Sequence, residues 1–143
     1  MKLPRVAFGV PLHPLLVHFP IAFWLTTPVL DLAALWVSVE PWWTLALSAT
    51  VIGVCIGVVV IATGFLEYLE PSVVGIDIRL AARHGIRTTM AWITFTTKMI
   101  VAMRFPITGW TIALCLGLDL IGCILLVQGV LFGTRQVYQQ LEK

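Results

Sequence analysis

Long apolar runs broken by short polar punctuation organise this chain. The runs predict helices over 14–37, 43–66, 80–103 and 107–132. Each is long enough to cross about 30 Å of hydrocarbon, which takes roughly 20 helical residues. Pro14 suits a helix start, because its missing amide hydrogen would be unpaired there anyway. The breaks at 38–42 and 104–106 leave room only for turns between antiparallel neighbours. The pattern predicts an all-α integral membrane protein: one domain over 1–143, folded as an antiparallel four-transmembrane-helix bundle with both termini on the same side. The letters show no internal repeat and no low-complexity segment.

Composition fixes the solvent. Hydrophobic residues make up 59% and charged residues only 11%, against roughly a quarter charged in soluble chains. Trp36, Trp42, Trp43 and Trp110 stand at span ends, where an interfacial aromatic belt is expected. Lys2 and Arg5 precede an apolar stretch too long for a cleaved signal peptide, in a chain that is apolar throughout. Lys2, Arg5, Arg79, Arg83, Arg87, Arg135 and Lys143 would share one face, leaving Arg104 opposite and Lys98 inside. The positive-inside rule then places both termini in the cytoplasm, with a bacterial inner membrane as the expected location. A net charge of +2 gives no case for nucleic acid. Cys55, Cys115 and Cys123 lie in apolar runs without CxxC spacing and read as small core residues. Gly53-xxx-Gly57 and Gly129-xxx-Gly133 permit close helix contacts or a homodimer.

Polar groups inside apolar runs are expensive and are functional candidates by default. One layer holds His13, His18, Glu67, His84, Arg87 and Gln128; a deeper one holds Asp31, Lys98 and Asp119, near Thr94, Thr96 and Thr97. His18 and His84 enter their spans at matched depth. Two imidazoles on separate helices, with Arg83 and Arg87 nearby for propionates, is the donor set a b-type haem needs. His13 and His18 are five residues apart, about 140° around a helix, so they do not share a face. Pro14 also disfavours helical geometry at His13. His18 is therefore expected to be the inward ligand and His13 an outer one. Pro20 leaves the Leu16 carbonyl without its donor, and Pro28 is expected to kink the span near Trp24. The plain alternative is that these histidines sit at the interface and the arginines snorkel. Asp31 and Lys98 are expected to form a structural ion pair. Asp119 has no evident partner at its depth, and is expected to stay protonated or to bond to those threonines.

The run Gly9-Val10-Pro11-Leu12-His13-Pro14-Leu15-Leu16-Val17-His18-Phe19-Pro20-Ile21, followed by Asp31, resembles the opening of the bacterial membrane family called domain of unknown function 2231. Members share an "HPxxVHFPI" start and an aspartate near the far end of the first helix. Gly64-Phe65-Leu66-Glu67-Tyr68 is similar to the "GxxDY" closing the family's second helix, with Glu67 for the aspartate. The resemblance implies a four-helix membrane module without an assigned activity. Some members look fused to Rieske-type or cytochrome c domains, which implies a respiratory electron-transfer setting. Relatives carry a third-helix histidine about where Thr88 stands, whereas His84 lies one turn earlier. Three functions follow as expectations. The first is a small subunit binding haem b, or alternatively a quinone, beside other membrane or redox subunits in the respiratory chain. The second is a non-catalytic accessory subunit of a larger membrane complex. The third is proton or solute transport through Asp31, Lys98 and Asp119. No nucleophile–base set, phosphate loop or carboxylate pair supports a stand-alone enzyme.

Overall fold

The computed structural model describes residues 6–7, 10–69 and 78–141. A two-residue antiparallel ladder, β1 (Val6–Ala7) with β2 (Val10–Pro11), precedes five helices. These are α1 (Leu12–Leu16), α2 (His18–Trp36), α3 (Trp42–Tyr68), α4 (Ile78–Arg104) and α5 (Gly109–Leu141). The first expected span is therefore split at Val17. Pro20 has no amide hydrogen to give the Leu16 carbonyl, and the break falls beside that orphaned acceptor. Pro28 lies inside α2, which continues through it. At the start of α5 the Thr108 hydroxyl accepts the Thr111 amide at 3.2 Å, closing the open first turn.

The segments Leu12–Trp36, Trp42–Tyr68 and Gly109–Arg135 are long and apolar enough to cross a membrane. Helix α4 is as long as α3 but falls short in apolar character, because Arg79, Arg83, His84 and Arg87 occupy its first turns. The long helices pack as neighbours in a ring, α2–α3–α4–α5–α2. Ala34 clusters with Trp43, and Ala102 with Ile112, at one end. His13 meets Val60, and His84 meets Gly129, at the other. Each helical hairpin is thus antiparallel.

The bundle contains a repeat that the letters conceal. His13, Pro20, Trp24, Thr27 and Asp31 form one inward stripe; His84, Ala91, Phe95, Lys98 and Ala102 form another with the same 7-4-3-4 spacing. Each member of the second lies 71 residues after its counterpart (84 against 13, 95 against 24). Apart from the half-buried histidines, every position in both stripes is buried. On the partner helices, Trp43, Ala46, Thr50, Gly53, Gly57, Val60 and Gly64 match Ile112, Cys115, Asp119, Gly122, Leu126, Gly129 and Gly133, each 69 residues later. Trp24 lies against Gly53 as Phe95 lies against Gly122, where an added Cβ would sit 2.7 Å from the Phe95 ring. Equivalent residues also meet each other: Trp24 and Phe95 stack with centroids 4.7 Å apart and planes 6° apart. Two helical hairpins, related by an approximate two-fold axis along the bundle, therefore make the fold, in the manner of parallel membrane repeats.

This packing bears out one expectation, close helix contacts at the glycine faces, and corrects two others. The GxxxG faces are filled from within, Gly57 by Trp92 and Trp24, Gly129 by Thr88 and Gly133 by His84, so they join helices of one chain. Trp43 is 3% exposed and belongs to the core, whereas Trp36 and Trp110 face outward at 80% and 86%. Cys115 is buried and Cys123 half-buried, but Cys55 is exposed.

Candidate functional site: a histidine pair at one end and a buried charge cluster at mid-bundle

The two histidines that meet are His13 and His84. Their ring centroids are 6.2 Å apart and their planes stand at 89°. Each is anchored in the same way. His13 Nδ1 lies 3.0 Å from the Val60 carbonyl, and its ring rests on Gly64 one turn further on. His84 Nδ1 lies 2.7 Å from the Gly129 carbonyl, and its ring rests on Gly133. A carbonyl only accepts, so Nδ1 carries the hydrogen in both rings, and Nε2 keeps its lone pair while the ring is neutral. This tether through the far nitrogen is how proteins orient metal-binding imidazoles. The His13 amide also points to Glu67 Oε1, at 3.4 Å.

His18 does not join the pair, and this is a correction. It is exposed, because the inward stripe of the first hairpin runs through His13 and Pro20. The restriction that Pro14 places on His13 yields to packing: Leu12–Leu16 closes one helical turn, which carries the ring over Gly64. The useful signal was the 7-4-3-4 spacing from His13, which His84 repeats. Around the pair, the Arg83 guanidinium lies 5.9 Å from the Phe132 ring centroid, and Arg87 is half-buried one turn inward from Arg83. Their counterparts 71 residues earlier are Leu12 and Leu16, so at these matched positions the first hairpin has no charge.

The second constellation lies at mid-bundle. Lys98 Nζ sits 3.0 Å from Asp31 Oδ2 and donates a 2.7 Å hydrogen bond to Asp119 Oδ2. Lys98 is 1% exposed and both carboxylates are fully buried. The lysine expected for Asp31 is therefore shared with Asp119, which was expected to lack a charged partner. The threonines do not reach Asp119: Thr94, Thr96 and Thr97 donate to the Met90, Trp92 and Ile93 carbonyls of their own helix. Asp31 Oδ1 and Asp119 Oδ1 accept no hydrogen bond, and Asp31 Oδ2 meets the ammonium only as an ion-pair contact. Apolar layers close the cluster on both sides. Trp24, Val54, Ala91, Phe95 and Leu126 lie toward the histidines, and Ala34, Trp43, Ala102, Ile112 and Cys115 lie beyond.

A haem iron held by two imidazoles, with each metal–nitrogen bond about 2 Å, sets the ring centroids about 6 Å apart. The 6.2 Å between the His13 and His84 ring centroids, their location on different hairpins and the hydrogen on each Nδ1 suit two imidazoles that would hold one iron. No group of three histidine, cysteine or acidic side chains placed to hold a metal ion occurs among the described residues.

No curated protein and no solved structure matches this chain. The family model described as "Predicted membrane protein (DUF2231)" matches residues 9–141, and the chain belongs to that family.

Proposed function

We propose that this protein is a small b-type haem subunit for respiratory electron transfer, in which His13 and His84 are the residues that would hold the iron. One observation carries the reading: two imidazoles, one from each hairpin, are tethered through Nδ1 at a mutual distance that suits a single iron. When bound, the haem would supply a one-electron redox couple. The chain's own residues do the rest. The Val60 and Gly129 carbonyls fix the ring tautomers and raise the basicity of Nε2. Gly64 and Gly133 give the rings a flat seat. Arg83 and Arg87 offer guanidinium groups to anionic substituents on the α4 side.

The same reading includes four spans. Helix α4 packs between α3 and α5, and Lys98 is buried against charges from α2 and α5, which supports α4 crossing with its neighbours. The basic residues at 2, 5, 79, 83, 87, 135 and 143 support a cytoplasmic histidine end in a bacterial inner membrane. Reporter fusions at the two termini should both read as cytoplasmic, and a fusion in the 104–108 turn as external.

The test is a reduced-minus-oxidised spectrum of the full chain, purified after haem-replete expression. The expected result is a b-type band that is lost in His13→Ala and in His84→Ala and kept in His18→Ala. A folded wild type without the band overturns the reading.

A further inference from the structure

We infer that the Asp31–Lys98–Asp119 cluster is a proton-binding site, which holds one dissociable proton on its two carboxyl groups. The inference stands apart from the haem reading and rests on charge count, hydrogen bonding and enclosure. Two carboxylates face one ammonium, which leaves one negative charge in excess when all three groups are ionised. An uncompensated charge in a dry interior is strongly disfavoured. Hydrogen bonds compensate only in part: the Thr27 hydroxyl lies beside Asp119 but donates to the Trp24 carbonyl at 2.9 Å. Lys98 donates to Asp119, while neither Asp31 oxygen accepts a hydrogen bond and Asp119 Oδ1 is equally unserved.

The neighbouring helices bring no second cation. Helix α4 contributes Lys98, and α5 contributes Asp119 with the thiols of Cys115 and Cys123 close enough to feel these charges. On α3 the position matching Asp119 is Thr50, whose hydroxyl is committed to the Ala46 carbonyl at 2.8 Å. The two-fold frame makes the imbalance visible. Thr27 and Thr50 occupy the first-hairpin positions of Lys98 and Asp119, so the second hairpin already carries a balanced pair. Asp31, whose counterpart is Ala102, adds an acid with no matching base.

A carboxylate that takes up a proton becomes a neutral acid, and the trio becomes neutral with Asp, Lys⁺ and Asp⁻ in contact. A metal cation is a poor substitute, because the Lys98 ammonium already occupies the place between the carboxylates and would repel it. The apolar layers on both sides mean that the proton exchanges only when the hairpins part or water enters.

Infrared spectroscopy of the full chain in lipid nanodiscs at pH 8 tests this, since exposed carboxyl groups are ionised there. The wild type should show a carboxylic-acid C=O stretch that shifts slowly in D2O. That band should survive Glu67→Gln and disappear in both Asp31→Asn and Asp119→Asn, because each of these leaves one carboxylate balanced by Lys98. A folded wild type without an acid band overturns the inference, as does a band that persists in either aspartate variant or vanishes in Glu67→Gln. If neither aspartate variant folds, the comparison of wild type with Glu67→Gln decides alone.

Discussion

At the residue scale, glycines decide where the aromatic and imidazole rings lie. A Cβ at Gly64 would stand 2.8 Å from the His13 ring, and one at Gly133 would stand 2.9 Å from His84, closer than ordinary contact. Overpacking of this kind costs about 1–3 kcal/mol. If it falls on ring placement, haem retention in Gly64→Ala and Gly133→Ala should drop roughly 5- to 150-fold, as read from the haem-to-protein absorbance ratio. Gly85 is the control: a Cβ there meets nothing within 4 Å. Gly85→Ala should leave haem retention intact and stabilise α4 by about 0.5–1 kcal/mol, the ordinary cost of a mid-helix glycine. Trp24 gives a second residue-scale prediction. Its indole nitrogen is buried without a partner, and Phe95 already shows that a phenyl ring fills the equivalent place. Trp24→Phe trades some volume for the removal of an orphan donor, and should shift denaturation in detergent by less than about 1.5 kcal/mol. Trp24→Ala should cost about 3–5 kcal/mol.

At the element scale, the charge cluster joins α2, α4 and α5 at one level. Removing Lys98 strands two buried acids. Lys98→Met should cost about 3–5 kcal/mol, whereas replacing all three charges together with apolar side chains should be neutral or stabilising by about 1–4 kcal/mol. Denaturant titrations of the two variants in one detergent compare them directly. If the triple variant lost as much as Lys98→Met, the bundle would depend on the charges themselves. The helices were largely legible in the letters, because the runs around 14–37, 43–66 and 107–132 are apolar enough to need no context. The break at Val17 follows from Pro20, a local cause. What stayed hidden was which histidine faces inward. Pro14 sets a local preference worth little against the packing of a ring onto Gly64, so the local rule favoured His18 and the tertiary contact favoured His13.

At the scale of the whole molecule, two hairpins share one plan and differ where function is expected. The matched stripes put His opposite His and Trp opposite Phe, then set Thr27 and Thr50 against Lys98 and Asp119. If the hairpins are separate folding units, chains 1–73 and 74–143 made together should assemble. An affinity tag on one should recover the other in roughly equal amount. Recovery should fall sharply with Lys98→Met in the second half, which leaves Asp31 and Asp119 facing each other without a cation. Failure of the wild-type halves to associate would mean that the linker, and not the interface, holds the bundle together.

The sequence by itself determined the solvent, the number of long helices and the identity of the scarce polar residues, because hydropathy and chain length act locally and tolerate no compromise inside a membrane. The 71- and 69-residue offsets were present in the letters too, but few of the aligned positions keep the same residue, and spacing without identity reads as noise. Only the tertiary structure decided that His13 pairs with His84, that Lys98 serves two carboxylates, and that the GxxxG faces are used up inside the chain. Each of these depends on which helix lies beside which, and that follows from how rings seat on glycines across the interface rather than from anything a single helix carries.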